Sequence, residues 1–289
     1  MIGKHAYLIM AHNECALLNK LLKCIDDERN DIFLHIDKKA DFSIEEVFKP
    51  QSSMFHLIRR MNVQWGGDSQ IKCEIALLHE AMKNGTYDYY HLLSGVDLPV
   101  KSQDEIHSFF RNNQGKNYIR IDPVMQEKGD GEERVKYYHF FQNIIGRRKG
   151  YFIGLLWRID NMSLYIQRIS KINRLKKCPK KIYKGTNWFS ITHEMAIEIV
   201  NQEKFIKKYC YKSLCADEIF VQTVAMNSVL NTTVVDEDLR CIDWMRGNPY
   251  IWRTEDIDYL LMQQHKLFAR KFSDCVDKKV SDIIVNRII

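Results

Sequence analysis

Apolar residues in the first third of the chain fall in short runs closed by polar residues. Ala6-Tyr7-Leu8-Ile9-Met10-Ala11, Asp31-Ile32-Phe33-Leu34-His35-Ile36-Asp37 and Tyr89-Tyr90-His91-Leu92-Leu93 have the length and continuity of strands covered on both faces. Between them the spacing changes to steps of three and four. Cys15 to about Ile25, Ser69 to Met82 (with Ile71, Ile75, Leu78 and Met82 near one face) and Gln103 to Phe110 are predicted helices. Phe55–Ile58 and Asn62–Trp65 are predicted short extended pieces, and Ser94–Pro99 a loop. Alternation of strand and helix over the first 110 residues predicts βα units, hence an α/β fold with a mainly parallel central sheet flanked by helices.

The middle of the chain changes character. Glu127–Glu133 is charged and contains glycines, which predicts a surface loop. From Tyr151 to Leu175, apolar residues recur at Phe152, Leu156, Ile159, Met162, Ile166, Ile169 and Ile172, the spacing of one long or two short helices. A strand over Asn187–Thr192 and helices over His193–Asn201 and Asp217–Ala225 follow. The last 50 residues carry strand, turn and helix signals. No internal repeat or low-complexity linker divides the sequence, so residues 1–289 are expected to form one domain.

Composition narrows the classes. Apolar residues make up 45% of the 289 and charged residues 28%, ordinary globular values that exclude disordered and fibrous classes. The net charge of +6 is local in origin, because eight cations and no acid lie between Arg168 and Lys184. Aromatic residues are not interleaved with those cations, which speaks against nucleic acid as a partner. Residues 151–184 read either as a core helix followed by a solvated basic loop, or as an element facing anionic lipid. No apolar run is long enough to cross a membrane, and the N-terminus has no apolar signal region. Eight scattered cysteines with no C-x-x-C pair fit a reducing compartment. The expected location is cytoplasmic, with peripheral contact at the inner face of the membrane.

Several common motifs are missing. There is no G-x-x-x-x-G-K-[ST], no G-x-G-x-x-G after the first strand, and no G-x-S-x-G; His193-Glu194 lacks the second histidine of H-E-x-x-H. P-loop enzymes, kinases, α/β-hydrolases and zincins are thereby excluded. Parallel sheets bind ligands beyond the C-terminal ends of their strands. His12, Asn13, Asp37, Ser94 and Asp97 occupy those ends and are candidate site residues.

Six longer segments occur in a specific order. Ala6–His12, Phe33–Asp37 and Tyr90–Pro99 are followed by Gly185-Thr186-Asn187-Trp188-Phe189, Ala216-Asp217-Glu218-Ile219-Phe220 and Leu267-Phe268-Ala269-Arg270-Lys271-Phe272. The series resembles the core-2/I-branching family of glycosyltransferases (family 14), which includes the peptide xylosyltransferases, over nearly the whole chain. The resemblance implies a GT-A-type nucleotide-sugar-binding fold. Residues 1–110 are then the nucleotide-sugar-binding half, and 111–289 the acceptor and catalytic half. It implies inverting, β-forming transfer from a UDP-sugar, most often UDP-N-acetylglucosamine, with UDP-xylose, UDP-glucose or UDP-galactose as alternatives. The expected acceptor is a saccharide or lipid-linked saccharide in surface polysaccharide or glycolipid synthesis. The chain's brevity fits a bacterial-type member.

The resemblance also assigns roles. Glu218 matches the general base that deprotonates the acceptor hydroxyl. Lys271 matches a lysine that holds the diphosphate, with Arg253 or Arg246 as the second cation. Asp37 matches a donor-binding aspartate, and Trp65 aligns with an aromatic beside the nucleotide. His12 is expected near the nucleotide, Asp97 at the donor sugar or ribose, and Trp188 in the wall of the acceptor pocket. No metal is expected. The triplets Asp236-Glu237-Asp238 and Asp256-Ile257-Asp258 lie far from where a GT-A fold places its D-x-D motif.

Overall fold

In the computed structural model, which describes residues 3–123 and 127–289, the apolar runs lie side by side. Strands β1 (His5–Ala11), β2 (Asn30–Ile36), β3 (Met54–Leu57) and β4 (Tyr89–Ser94) pair in parallel, in the order β3-β2-β1-β4. Three later strands extend the sheet to seven. These are β6 (Asn117–Ile121), β7 (Gly185–Thr192) and β8 (Val234–Val235), and β7 runs antiparallel between β4 and β6. A smaller sheet places β10 (Phe268–Arg270) between β5 (Leu98–Pro99) and β9 (Arg240–Ile242).

The pleat of β1 explains why its run is apolar on both sides. Tyr7, Ile9 and Ala11 face one core and Ala6 and Leu8 the other. The first core is closed by α1 (Cys15–Cys24), α3 (Gln103–Asn112) and, at the end of the chain, the helix Asp274–Ile288. Leu17, Leu18, Leu21 and Leu22 form the covered stripe of α1. Ser102 caps α3, its Oγ accepting from Glu105 N–H at 3.3 Å while the Glu105 carboxylate accepts from Ser102 N–H at 2.8 Å. The second core is closed by α2 (Asp68–Asn84) and the later helices His193–Asn201 and Phe220–Met226. Both cores draw residues from either side of position 110.

The mainly parallel α/β sheet expected from the sequence is present. Local departures have physical causes. Glu127–Glu133 is not simply a loop, because Asp130–Lys136 forms a helix, α4, stabilised by acids in its first turn and bases in its last. Asn62–Trp65 contains no strand. The helix predicted over Asp217–Ala225 is broken into a 3-10 turn, Ala216–Glu218, and the helix Phe220–Met226. Ser94–Pro99 holds the two-residue strand β5.

The largest departure is Tyr151–Ile169. After the short helix α5 (Gln142–Ile145), it forms one 19-residue helix, α6. Of the seven periodic apolar residues from Phe152 to Ile172, Leu156 alone is buried, so the core-helix reading does not hold. No helix among the described residues is long and apolar enough to cross a membrane.

Candidate active site

The smaller sheet carries Arg270 and Lys271 to the loop that follows β4. Asp97 is fully buried there and organises the junction. It accepts from Ser94 N–H at 2.9 Å, from Ser94 Oγ at 2.8 Å and from Arg270 Nη1 at 2.7 Å. Asp97 was expected at the donor itself. Its carboxylate instead meets Ser94 and Arg270, so its contribution is the position of Arg270. The Arg270 guanidinium lies 4.6 Å from the centre of the Trp188 ring, on β7.

Lys271 is half-buried beside this pair. Burial, and next the Arg270 charge, lower its ammonium from the ordinary lysine value; Arg147 acts in the same direction, while Glu14 and Asp97 oppose it. Cations held this close destabilise one another, and an anion relieves that cost. His12, just beyond β1, reports the same field. Burial lowers it, Asp37 opposes, and Lys271, Arg270 and Lys39 lower it further, so the imidazole is neutral at pH 7.

Glu218 lies in the 3-10 turn before the helix Phe220–Met226. Its Oε2 accepts from Arg134 Nη1 at 2.8 Å and lies 3.8 Å from Lys184 Nζ. Beneath it, Asp217 accepts from Gln70 Nε2 at 3.1 Å. Burial, and next the Glu218 charge, push Asp217 up to about 7. Glu74 on α2 is fully buried nearby and is pushed well above the usual carboxylate range by burial and by Asp217.

Close backbone approach joins the two groups. Cys215 N–H donates to Gly66 O at 2.8 Å, and a Cβ on Gly66 would meet Cys215 Sγ at 2.9 Å. Gly66 also has φ of +68°, so glycine is required twice over. The neighbouring Trp65 is exposed, with the Arg147 guanidinium 4.2 Å above its ring. Arg147 is near enough to influence both Lys271 and Cys215. A carboxylate on one side and several cations on the other are therefore connected through Arg147, Trp65 and the Gly66–Cys215 contact.

The remaining predicted residues are placed as follows. Asp37 is buried at the end of β2, where its carboxylate accepts from Lys39 N–H at 2.8 Å and Val63 N–H at 3.0 Å. It thereby fixes the segment leading to Trp65. Arg246 is taken up by Asp243 at 2.5 Å and Asp256 at 2.7 Å. Arg253 is exposed and begins the short turn Thr254–Asp256. Neither arginine is shown beside Lys271, whereas Arg270 and Arg147 are. Sequence reasoning passed over Arg270, although it lies inside the quoted Phe268–Phe272 segment. It also passed over Arg147, Arg134 and Lys184, which look like unremarkable loop charges. Three of the four aspartates of the two D-x-D triplets are engaged: Asp236 with Ile121 N–H, Asp238 with Thr186, and Asp256 with Arg246. Among the described residues, no group of three His, Cys, Asp or Glu side chains is placed to hold a metal.

A sequence profile described as Core-2/I-Branching enzyme matches residues 5–264. The chain belongs to the Core-2/I-Branching enzyme family. As a Core-2/I-Branching domain it is a glycosyltransferase domain, and its mixed α/β sheet agrees with the GT-A-type fold. It is 22% identical to xylosyltransferase 2 of Homo sapiens over 96% of this chain and 33% of that protein. It is also 22% identical to a xylosyltransferase of Ciona intestinalis over 95% of this chain and 33% of that one. Xylosyltransferase oxt of Drosophila melanogaster is 22% identical over 91% of this chain and 31% of its own length. The chain spans about a third of the length of these relatives.

Proposed function

We propose that the protein transfers a sugar from a UDP-sugar to a hydroxyl of a saccharide acceptor in one displacement, with inversion at the anomeric carbon. Two observations carry this reading: the half-buried Glu218 held by Arg134 and Lys184, and the close cations Lys271, Arg270 and Arg147, the last of which influences Cys215, as Glu218 also does. In the step, the acceptor oxygen bonds to the anomeric carbon as the bond from that carbon to the diphosphate oxygen breaks. The acceptor proton passes to Glu218, and UDP leaves with the electron pair. Lys271 and Arg147, with Arg270 held by Asp97, offset the charge that grows on the diphosphate.

Trp65 offers the ring face opposite Arg147 to the uracil. Neutral His12 offers a hydrogen bond at the nucleotide, and Asp37 keeps the Lys39–Val63 segment in place. Trp188, beside Arg270, forms a wall toward the acceptor. The leaving diphosphate is met by side-chain cations without a D-x-D metal. What supports this is that Asp236, Asp238 and Asp256 are engaged elsewhere, and that neighbouring cations help to lower Lys271 and His12.

N-acetylglucosamine is the first reading for the sugar, on the family resemblance. The relatives' description as xylosyltransferases favours xylose as the second reading. A thermal-shift series with UDP, UDP-N-acetylglucosamine, UDP-xylose, UDP-glucose and UDP-galactose, each with EDTA, tests the proposal. The donor that stabilises the protein is expected to be the donor turned over. Stabilisation that appears only on adding metal would refute the side-chain account of the diphosphate.

A further inference from the structure

Helix α6 carries a mixed inner face and an apolar outer stripe. The inner face is turned to the protein, with Leu156, Asp160 and Gln167 buried along it. At 100° per residue, the outer stripe runs through Leu155, Ile159, Met162, Ile166 and Ile169, spaced four, three, four and three apart. Every one of these side chains is more than 40% exposed. Tyr151 and Trp157 are exposed near its first turns and Tyr165 farther along. A monomer rarely leaves so continuous an apolar stripe in water.

The charges around the stripe say what covers it. From Arg147 to Lys171 there are six cations, and Arg148, Lys149, Arg158, Arg168 and Lys171 are all exposed. The one acid in that span is Asp160, buried against His139 at 3.3 Å. The exposed surface of this segment is thus apolar, aromatic and cationic, with no exposed carboxylate of its own. An open cleft of about 600 Å³ lies between the basic run and the start of α6, lined by Arg147, Arg148, Lys149, Ile153 and Trp157. A second copy of the chain fits poorly, because a two-fold interface through this face would bring two cation-rich surfaces together with no exposed carboxylate of the segment to pair them. Nucleic acid would leave the apolar stripe wet.

We propose that α6 is an in-plane docking helix for an anionic bilayer. Its outer stripe enters the boundary between acyl chains and headgroups, its aromatic rings sit at that boundary, and the flanking cations meet lipid phosphates. Because Arg147 begins the basic run and also covers Trp65, docking sets the nucleotide site beside the membrane surface. That last consequence rests on the transferase reading; the docking itself does not.

The test is flotation of the whole protein with vesicles of phosphatidylcholine alone, or of phosphatidylcholine with phosphatidylglycerol. The protein is expected to float with the anionic vesicles, to be released by high salt, and to stay behind with the neutral ones. The triple variant Ile159→Gln, Met162→Gln, Ile166→Gln is expected to lose flotation while keeping its melting temperature and its UDP-induced stabilisation. A second variant, Arg148→Gln, Lys149→Gln, Arg158→Gln, is expected to partition about a hundredfold less, at about fivefold per cation. Absence of flotation by the wild type, equal flotation on neutral vesicles, or undiminished flotation of the apolar triple variant would each overturn the proposal. So would a concentration-dependent dimer, abolished by that variant, in a protein that vesicles do not recruit. A protein that binds no UDP-sugar yet still floats would sink the transferase reading and leave the docking intact.

Discussion

The Arg134 guanidinium donates to Glu218 at 2.8 Å, and Lys184 approaches the same oxygen, Oε2, from 3.8 Å. Two cations on one oxygen fix the carboxylate's orientation, which leaves Oε1 for an incoming hydroxyl in the proposed reaction. Replacing Arg134 with Ala frees Glu218 to rotate. Since Arg134 touches the base and not the diphosphate, kcat is expected to fall while UDP affinity holds. Steady-state kinetics with parallel UDP titration separates the two, and a pure loss of donor affinity would contradict the positioning role.

Arg147 links the cations to Trp65. Removing it in Arg147→Ala is expected to weaken UDP binding by about tenfold, the scale of one charge-assisted hydrogen bond. Uridine, which lacks the phosphates, is expected to lose much less. Calorimetric titration of both ligands decides the matter; equal losses would place Arg147 at the base alone.

Asp97 is fully buried, and its partner Arg270 is mostly so. Asp97→Asn leaves the guanidinium with a neutral neighbour. Breaking a buried pair costs about 3–5 kcal/mol, and the partial exposure of Arg270 puts this one toward the lower figure. Urea unfolding is expected to show that loss together with weaker UDP binding. Unchanged stability would mean that Arg270 finds other partners.

Asp217 gives a prediction in pH. Its carboxyl is raised from 3.8 to about 7, so the folded state holds a proton that the unfolded state has released. Stability from this group is therefore full below about pH 4 and declines as pH rises toward 7. Asp217→Asn removes the titration, and the variant's stability is expected to decline less than the wild type's over that window. Parallel slopes in thermal melts across pH 4–7 would contradict the assignment.

Much of this architecture is legible in the chain. β1, β2 and β4 announce themselves because a strand covered on both faces must be apolar at every position. Glu218 and Lys271 are nominated by segments that resemble the family, and Trp65 by its alignment with an aromatic of the family outside those segments. What stays hidden has a common cause. Periodicity reveals that α6 has an apolar stripe but not that the stripe faces outward, so the helix reads as a core helix. Arg147, Arg134 and Lys184 lie in segments whose charges look like solvated surface, and tertiary contact alone turns them toward the site. Asp97 follows a strand end, as a ligand-binding carboxylate would, yet Arg270 arrives from 173 positions away to occupy it.

The central claim is that Glu218 takes the acceptor's proton. It is tested most directly by turnover of the stabilising UDP-sugar by Glu218→Gln, at donor concentrations that saturate both proteins. Glutamine keeps the shape and the Arg134 side of the site but accepts no proton. The account predicts undiminished UDP binding with kcat reduced about 10²–10⁴-fold. Wild-type turnover by Glu218→Gln would contradict it.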